Sequence, residues 1–375
     1  RIPFFPIPLI DSQHPEILEL KQELDTGQCP SGFEKMSNRI VEALEPALEG
    51  VDILFVHNVF TMSKNLMLTA ALRQIGASGK GPKFVAWHHD IAATAERYQS
   101  ELHEGWPWNL VSEEWKEVPI THVVVSEARK SELCTLMDLD RGVVEVIPSG
   151  IDADRLHKFE DYTARFSEDF NLLEANPLLL LPVRITRRKN LELALQVTAK
   201  LGELMPGATL VVTGPPGAHN PSNRTYLDEL RELRRELALE PPRAGFAGAP
   251  YPSATAHFLS EFSDTFLPDE VIADFYRLAD GLLITSNDEG FGIPIIEAGL
   301  SRIPIFCSDI APFREIAGEE AYYFSVTEPA ENIAEAIATA LKTDQTYALR
   351  HRIRARYSWP AVYQRQIAPL LESSE

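Results

Sequence analysis

Short apolar segments alternate with segments of helical period along the chain, and this alternation is the strongest constraint on the fold. The apolar segments with strand character are residues 51–57, 83–87, 122–126, 143–148, 178–185, 209–213, 281–286 and 303–308. The segments between them repeat their apolar residues at helical spacing. Strands that alternate with helices form parallel sheets, because a parallel connection has to cross back over the sheet. The sequence therefore predicts an α/β fold with doubly wound parallel sheets.

The length of 375 residues and the composition indicate two domains. A hydrophobic fraction of 45% is enough for two sizeable cores. Residues 152–176 are polar, dotted with aromatic residues and poorly periodic, which is typical of a linker. We expect the boundary between the two domains in this stretch.

The chain is acidic, with 35 Lys and Arg against 55 Asp and Glu and a formal net charge of −20. This balance argues against a nucleic-acid partner, since phosphate backbones need basic surface. It does not indicate membrane association, although it leaves that open, and no run of 18 apolar residues predicts a spanning helix. Three widely separated cysteines show neither a disulfide nor a zinc pattern, which favours a reducing compartment, and we expect a cytoplasmic protein.

Residues 289–297 read Glu-Gly-Phe-Gly-Ile-Pro-Ile-Ile-Glu and follow an apolar segment. Pro294 opens a predicted helix, so the order is strand, tight glycine turn and helix. Such a turn exposes backbone N–H groups, and the helix dipole adds positive potential at the same place. The turn suits a phosphate or a sugar hydroxyl, and Glu289 and Glu297 are acceptors for hydroxyl groups.

Four motifs together resemble those of the retaining glycosyltransferases of family 4, also described as glycosyl transferases group 1. They are residues 289–297, the Arg-x4-Lys element within 182–190, the segment 146–152 with Ser149 in place of the usual Asn, and Trp-His-His-Asp at 87–90. The resemblance implies the GT-B fold, in which two Rossmann-like domains face each other across a cleft. It implies an acceptor-side domain at 1–155, a donor-binding domain at 156–358, and a C-terminal helix at 359–375 that packs back on the first domain.

The resemblance assigns roles near the reacting bond to His89, Arg184, Lys189 and Glu289. Negative charge grows on the diphosphate as it leaves, and Arg184 and Lys189 fit the task of stabilising it. Cations at the start of a helix are unfavourable by the dipole rule, so this basic turn should have a compensating anion. Arg187 and Arg188 are further candidates for contact with the diphosphate, or they simply face solvent. His89 would hydrogen-bond to the donor sugar, and of the two adjacent histidines one is expected to be satisfied within the turn.

Further positions are assigned to the two substrates. Glu297 should accept hydrogen bonds from the ribose and Glu289 from the donor sugar. The donor-binding residues are Gly290, Phe291, Gly292, Ile293, Glu297, Gly214, Pro215 and Phe246. The turn with Gly214 and Pro215 has an equal alternative as loop structure alone. The acceptor side would hold His88, Asp90, His57, Asn58 and Lys64. Residues 249–268 exceed the family's usual length there, so we expect a lid or an acceptor-shaping insert.

The sequence thus predicts an enzyme that moves a hexose from a nucleotide sugar to a hydroxyl acceptor with retention. No cofactor and no metal are expected, because two basic residues can serve the diphosphate and no Asp-x-Asp element is present. The donor could be of the GDP-mannose or UDP-glucose type, and the acceptor a small molecule, a glycan or a lipid-linked sugar. A retaining phosphorylase and a non-catalytic module that binds a sugar or a partner are the alternatives.

The beginning of the chain departs from the family pattern. The family's first strand and its glycine-rich loop have no counterpart, and residue 1 is Arg rather than Met. We expect the biological polypeptide to extend beyond Arg1 and to carry part of the acceptor site there.

Overall fold

The structure is a computed structural model that describes residues 4–217, 222–242, 251–262 and 267–372. The chain divides into two compact units, Arg1–Ser149 with Leu370–Glu375, and Gly150–Pro369. The sequence placed the boundary after residue 155, whereas the units part at Ser149, within the motif at 146–152. Residues 359–369 belong to the second unit, so the packing of a C-terminal helix on the first domain stays a prediction.

The first unit contains a sheet of four parallel strands in the order β1-β2-β3-β4. The strands are β1 Ile53–His57, β2 Lys83–His88, β3 Ile120–Val124 and β4 Val144–Val146. The main helices are α1 Pro15–Leu24, α2 Phe33–Leu48, α3 Leu66–Ala77 and α4 Glu127–Met137. Helix α2 buries Phe33, Met36, Ile40 and Leu44, which repeat at three- and four-residue spacing and so form one apolar face. These side chains share a core with α3 and with Phe84 of β2.

The second unit contains six parallel strands in the order β10-β9-β8-β5-β6-β7. The strands are β5 Leu178–Leu181, β6 Ala208–Val212, β7 Ala254–Phe258, β8 Gly281–Ile284, β9 Ile305–Ser308 and β10 Tyr322–Phe324. After β5 the chain builds outward through β6 and β7, and then returns to place β8 on the other side of β5. The strand order therefore reverses between β5 and β8. A ligand crevice is expected outside the carboxyl ends of strands at such a reversal.

Helices of the second unit precede, connect and follow these strands. They are α5 Ala153–His157, α6 Asp161–Asp169, α7 Leu191–Leu204, α8 Ser222–Glu236, α9 Asp269–Leu278, α10 Ile293–Ser301, α11 Ala311–Ala317, α12 Ala330–Thr343, α13 Gln345–Tyr357, α14 Trp359–Val362 and α15 Ala368–Glu372. Both units are thus parallel α/β sheets with crossover helices, and the predicted fold class is confirmed. How the two units face each other, as the GT-B arrangement would have it, stays a prediction.

Two segments were interpreted wrongly from the sequence. Residues 254–258, within the predicted insert, form strand β7, which is buried throughout and pairs with β6. Its sequence Ala-Thr-Ala-His-Phe has little apolar character, so only its place beside β6 marks it as a strand. The stretch at 152–176, which the sequence shows as poorly periodic, holds α5 and α6. Helix α6 buries Phe166 with Thr163 and Ser167, and two polar residues conceal its inner face from a hydrophobicity pattern.

A buried ion pair fastens the start of the second sheet to α13. Asp280 accepts a hydrogen bond of 2.9 Å from the backbone N–H of Leu178, at the first residue of β5. Its other carboxylate oxygen accepts from the Arg354 guanidinium, and the two side chains are only 1% and 7% exposed. Removing one member of such a pair leaves a charge buried without a partner. Asp280 is therefore a structural residue that aligns β5, β8 and α13.

We expect Asp280→Ala to lower the free energy of unfolding by about 3–5 kcal/mol, because Arg354 is left buried and uncompensated. Urea denaturation followed by circular dichroism measures the change. The matched control is Asp228→Ala, whose pair with Arg231 is 72% exposed on the aspartate side and should contribute less than about 1 kcal/mol. Similar losses in the two variants would contradict the assignment.

Candidate active site

The loops that follow β5 and β8 are joined by hydrogen bonds at the point where the strand order reverses. The Thr285 hydroxyl donates to the carbonyls of Lys189 at 3.0 Å and Asn190 at 2.8 Å. The backbone N–H of Asn287 donates to the carbonyl of Arg188 at 2.8 Å. Residues about a hundred positions apart in sequence are thereby fixed side by side. The basic turn at Arg187–Lys189 and the Glu-Gly-Phe-Gly turn at 289–292 form one structural unit.

Glu289 is the centre of this unit. Its carboxylate accepts hydrogen bonds from the Ser286 hydroxyl at 2.8 Å, from the Arg188 guanidinium at 2.9 Å and from the Lys189 ammonium. The Glu289 side chain is 10% exposed and that of Lys189 11%. Burial alone would raise the pKa of Glu289, but the hydrogen bonds from Lys189 and Ser286 outweigh it and hold that pKa below the ordinary value. Burial lowers the pKa of Lys189, against the opposing effect of Glu289.

The glycine turn leads directly into α10. Gly292 is the residue before the helix and has a φ of 135°, and a Cβ there would lie 3.0 Å from the Phe313 ring. Both facts require glycine at this position. Phe291 and Ile293 on either side are 57% and 61% exposed. The first backbone N–H groups of α10 therefore lie in an open turn, where a ligand can reach them.

Glu297 lies on α10, one turn into the helix. One of its carboxylate oxygens accepts a hydrogen bond of 2.6 Å from the hydroxyl of Tyr276 on α9. Tyr276 is buried, and burial together with the Glu297 charge raises the pKa of its hydroxyl, so it stays a donor. Tyr276 thus fixes the orientation of Glu297. The sequence analysis missed Tyr276, whose partner becomes evident only when α9 and α10 are packed, and it missed Ser286, although this residue lies only three positions before Glu289.

These residues surround a cavity of about 670 Å³ in the second unit. It brings together nine of the predicted donor-side residues, namely Arg184, Lys189, Gly214, Pro215, Glu289, Phe291, Gly292, Ile293 and Glu297. Arg188, Thr186, Asn223 and Asp269 also line it. Gly290 lies in the turn beside the cavity, and Phe246 lies outside the described residues. Cavities of roughly 300–1,000 Å³ are typical of small-molecule sites.

Gly214 brings the loop after β6 against the loop after β5. A Cβ at Gly214 would lie 2.2 Å from the carbonyl oxygen of Val183, which excludes any other residue without movement of the backbone. The backbone N–H of Ile185 donates to the carbonyl of Pro215 at 3.1 Å. The structural role of this turn is therefore evident, and its contact with a nucleotide stays a prediction.

The basic turn obtains its counter-charges from the chain itself. Arg187 pairs with Glu229 at 2.6 Å and lies over the Tyr226 ring, whereas Arg188 and Lys189 pair with Glu289. The positive charge of this turn therefore does not by itself require an external anion, contrary to our argument from the dipole. Arg184 is exposed at the cavity wall.

In the first unit, His57 and His89 lie at the carboxyl ends of β1 and β2. Nδ1 of His57 is 3.1 Å from Nε2 of His89, and the rings are stacked. Asn58, at a φ of 62°, accepts hydrogen bonds from the backbone N–H groups of His89 and Asp90 at 2.7 and 3.1 Å. Burial lowers the pKa of His57, and the neighbouring His89 lowers it further. Both imidazoles are accessible to a ligand.

His88 was assigned to the acceptor side, and this assignment is wrong. Its ring points into the core with 1% exposure and lies between the Thr61 hydroxyl at 3.1 Å and Nδ1 of His122 at 3.0 Å. Strand residues alternate between faces, so adjacent histidines at a strand end have opposite surroundings. His88 is the histidine satisfied within the fold, which leaves His89 as the accessible one.

The other two predicted acceptor-side residues, Asp90 and Lys64, form ion pairs with side chains of the same unit. Asp90 pairs with Arg97 at 2.8 Å. Lys64 pairs with Glu101 at 2.9 Å, and Lys21 shares the same carboxylate at 3.2 Å. An acceptor at this place would have to compete with these ion pairs.

Within the part of the chain that the structure describes, no helix combines the length and apolar character that a membrane span requires. Among the same residues, no three His, Cys, Asp or Glu side chains gather as ligands for a metal ion.

Comparison with known proteins bears on the second unit most directly. A model of the family described as Glycosyl transferases group 1 matches residues 264–357, which include the Glu289–Glu297 motif. Mannosylglucosylglycerate synthase from Petrotoga mobilis is 25% identical over 83% of this chain and 74% of its own length. Mannosylfructose-phosphate synthase from Agrobacterium fabrum is 24% identical over 63% of this chain and 51% of its own.

Among solved structures, that of Anabaena Alr3699/HepE in complex with UDP and glucose is 18% identical and covers 92% of this chain and 83% of its own. Its TM-score of 0.38 is too low to bear on fold or site. The group 1 match at residues 264–357 and the two synthases, together with the cavity at the strand reversal, indicate that this chain is a glycosyltransferase. The resemblance to glycosyltransferases that the four motifs indicate is therefore confirmed, and so is the prediction that the chain is an enzyme.

The buried His88–His122 pair predicts a pH dependence of stability. Burial lowers the pKa of His88 to about 3 and that of His122 to about 4, from an ordinary value of 6.5, with His122 contributing to the shift of His88. Below pH 6.5 the two histidines bind protons in the unfolded chain, whereas in the folded protein they remain neutral until the pH is much lower. The free energy of unfolding should therefore fall as pH drops from about 6.5 towards 4, by at most about 1.4 kcal/mol per pH unit for each histidine.

The test is urea denaturation between pH 8 and pH 4.5 on the wild type and on His122→Asn, which removes one titrating ring. The variant should lose less stability than the wild type over this interval. His122 also contributes to the lowered pKa of His88, so the difference in slope reports on the pair rather than on His122 alone. Equal slopes would show that this pair does not govern the acid sensitivity.

Proposed function

We propose that this enzyme transfers a hexose from a nucleotide sugar to a hydroxyl acceptor with retention of configuration and without a metal. The observation that carries the proposal is the cavity at the strand reversal, which combines three cationic side chains with two oriented carboxylates and the open start of α10. The cations suit a diphosphate, the carboxylates suit hydroxyl groups, and the helix start suits either. A nucleotide sugar contains all of these groups.

Lys189 and Arg184 would stabilise the diphosphate as it leaves. Negative charge increases there while the glycosidic bond breaks, so fixed cations act more strongly on the transition state than on the ground state. These cations supply the positive charge that a metal would otherwise provide, which supports metal independence. The leaving phosphate would itself take the proton of the acceptor hydroxyl.

Glu289 would exchange partners when the donor binds. In the described state its carboxylate neutralises Lys189 and Arg188. A diphosphate beside Lys189 would compete for the ammonium, and the sugar hydroxyls would then donate to the carboxylate in its place. The same two loops thus couple recognition of the sugar to recognition of the leaving group.

Glu297 would bind the ribose. Its Oε2 is engaged by Tyr276 at 2.6 Å, which fixes the plane of the carboxylate. Two neighbouring ribose hydroxyls can donate to a carboxylate oriented in this way. Tyr276 is then a positioning residue that acts through Glu297.

The names of the relatives support a choice of substrates. Mannosylglucosylglycerate synthase, mannosylfructose-phosphate synthase and D-inositol 3-phosphate glycosyltransferase all name small polyhydroxylated molecules with an anionic group. Two of the three names include a mannosyl group. We therefore propose GDP-mannose as the first donor to test, UDP-glucose as the second, and a small anionic polyol as acceptor. His57, Asn58 and His89 would face that acceptor and the reacting centre.

Incubation with GDP-mannose or UDP-glucose and candidate acceptors such as glycerate and fructose 6-phosphate should yield a product with the donor's anomeric configuration. The expectation follows from a departing phosphate that accepts the proton on the same face of the sugar. Proton NMR of the first product determines the configuration, in buffer that contains a chelator. An inverted product, or activity abolished by the chelator and restored by a divalent ion, would contradict the proposal.

A pair of variants provides the control for this reaction. Lys189→Ala should reduce the rate of transfer by about 100-fold, because one stabilising contact to the leaving group is lost. Arg187→Ala removes a cation from the same turn, but one that pairs with Glu229 and does not line the cavity. It should retain most of the activity.

Glu297→Gln and Glu289→Gln should have different effects on nucleotide binding. Glu297→Gln should weaken the binding of GDP or UDP about tenfold, because a charged acceptor for the ribose is lost. Glu289→Gln should leave the binding of the free nucleotide unchanged or stronger, because it frees Lys189, and should weaken the intact donor. Isothermal titration with the nucleotide and with the nucleotide sugar separates the two roles. If both variants lost the same affinity for the nucleotide and for the nucleotide sugar, this division of roles between Glu289 and Glu297 would be excluded.

A further inference from the structure

A second cavity, of about 380 Å³, lies in the first unit between helices α2 and α3. Residues of α2 and α3 form its walls, and Trp106 and Glu117 from the segment between β2 and β3 complete it. None of its residues belongs to the turns that directly follow β1 and β2, where His57 and His89 lie. The cavity is therefore separate from the acceptor-side residues described above.

Trp106 forms an exposed aromatic wall of this cavity. Its side chain is 47% exposed, whereas Trp87, Trp108 and Trp115 of the same unit are 4–5% exposed. The ring is held edge to face against the buried Phe33, with centroids 5.8 Å apart and an interplanar angle of 74°. A partly exposed indole that packs on a buried ring offers an apolar face to a ligand.

Planar polar groups surround this ring. The side-chain amides of Asn38 and Gln74 line the cavity, and neither has a hydrogen-bond partner among the residues that the structure describes. Arg73 donates to Glu117 at 2.6 Å, and this pair lines the cavity as well. Each amide offers one donor group and one acceptor, and so does the ion pair. The rim can therefore bind neighbouring hydroxyl groups, each of which both donates and accepts.

The floor of the cavity leaves room for a ring. Ala70 of α3 and Ser37 of α2 are small and largely buried there, with 9% and 5% exposure. The charges of the lining are Arg73 against Glu34 and Glu117, so the cavity has no excess of positive charge. This balance disfavours a phosphate or another anion.

We propose that this cavity is a glycan-binding subsite, in which the apolar face of a pyranose ring stacks on Trp106. The ring hydroxyls bind Asn38, Gln74 and the Arg73–Glu117 pair. A sugar has both an apolar face of C–H groups and a rim of hydroxyls, and the cavity offers a surface for each. A nucleotide would bring phosphates to a site without net positive charge. The proposal is independent of the donor chemistry, because no residue of the donor cavity takes part.

The test uses the full chain and four probes: methyl α-mannopyranoside, methyl α-glucopyranoside, α-1,2-mannobiose and maltotriose. Saturation-transfer NMR should show the C–H protons of one ring face in closest contact, and titration of tryptophan fluorescence gives the affinity. We expect saturable binding of at least one probe that weakens about tenfold or more in Trp106→Ala, since an aromatic stacking contact typically contributes that much. Trp106→Phe should retain part of the affinity.

Further variants separate this site from the donor cavity and from loss of folding. Asn38→Ala and Gln74→Ala are exposed helix substitutions and should each weaken the binding severalfold. Tyr363→Ala removes an aromatic ring that is 53% exposed in the other unit and should leave it unchanged. Each of these variants should bind GDP and UDP with the same affinity as the wild type does. That result would hold whether or not the proposed transfer is observed.

Three outcomes would overturn the proposal. The first is that the wild type binds no probe up to about 50 mM, well above the millimolar range of weak complexes. The second is a well-folded Trp106→Ala variant that binds the probes as the wild type does. If Trp106→Ala does not fold, undiminished binding in both Asn38→Ala and Gln74→Ala is the third.

Discussion

The candidate active site depends on one buried carboxylate. Glu289 is 10% exposed, and a charge at that depth is tolerated only with partners. Its partners come from the loop after β5, as Arg188 and Lys189, and from its own loop after β8, as Ser286. The requirement for pairing therefore holds together two loops that are about a hundred residues apart. The donor cavity exists because those loops are held in this arrangement.

The topology of the second sheet explains why the site lies where it does. Strands β6 and β7 extend from one side of β5, and β8 occupies the other, so the carboxyl ends of β5 and β8 lie at the strand reversal, where a crevice is expected. Helix α10 begins in this crevice at Gly292, whose φ of 135° turns the chain from the strand into the helix. The Glu289–Glu297 turn, which lies within the residues that match the group 1 family, is thus located by strand order and shaped by a single glycine.

The two units present different kinds of polar surface. In the second unit the cavity at the strand reversal is lined by charged side chains, of which Arg188 and Lys189 pair with Glu289. In the first unit the accessible imidazoles of His57 and His89 lie at the strand ends, and two amides, an exposed indole and the Arg73–Glu117 pair line the cavity between α2 and α3. Charged groups suit a diphosphate, whereas amides and aromatic rings suit neutral sugar rings. This difference supports the two proposals, a charged donor at the cavity of the second unit and a sugar ring at the cavity between α2 and α3.

The sequence by itself determined the α/β class, most strand positions and the turn from Glu289 to Glu297, because periodicity and turn chemistry are local properties. It also indicated that Lys189, Glu289 and Glu297 act together. Only the tertiary structure decided that His88 is buried while His89 is accessible, that Arg187 pairs with Glu229, and that residues 254–258 form a strand. Tyr276 likewise acquires its role from its contact with Glu297 on α10. These outcomes depend on which side chains meet across the packed fold, and such long-range contacts leave no periodic trace in the chain.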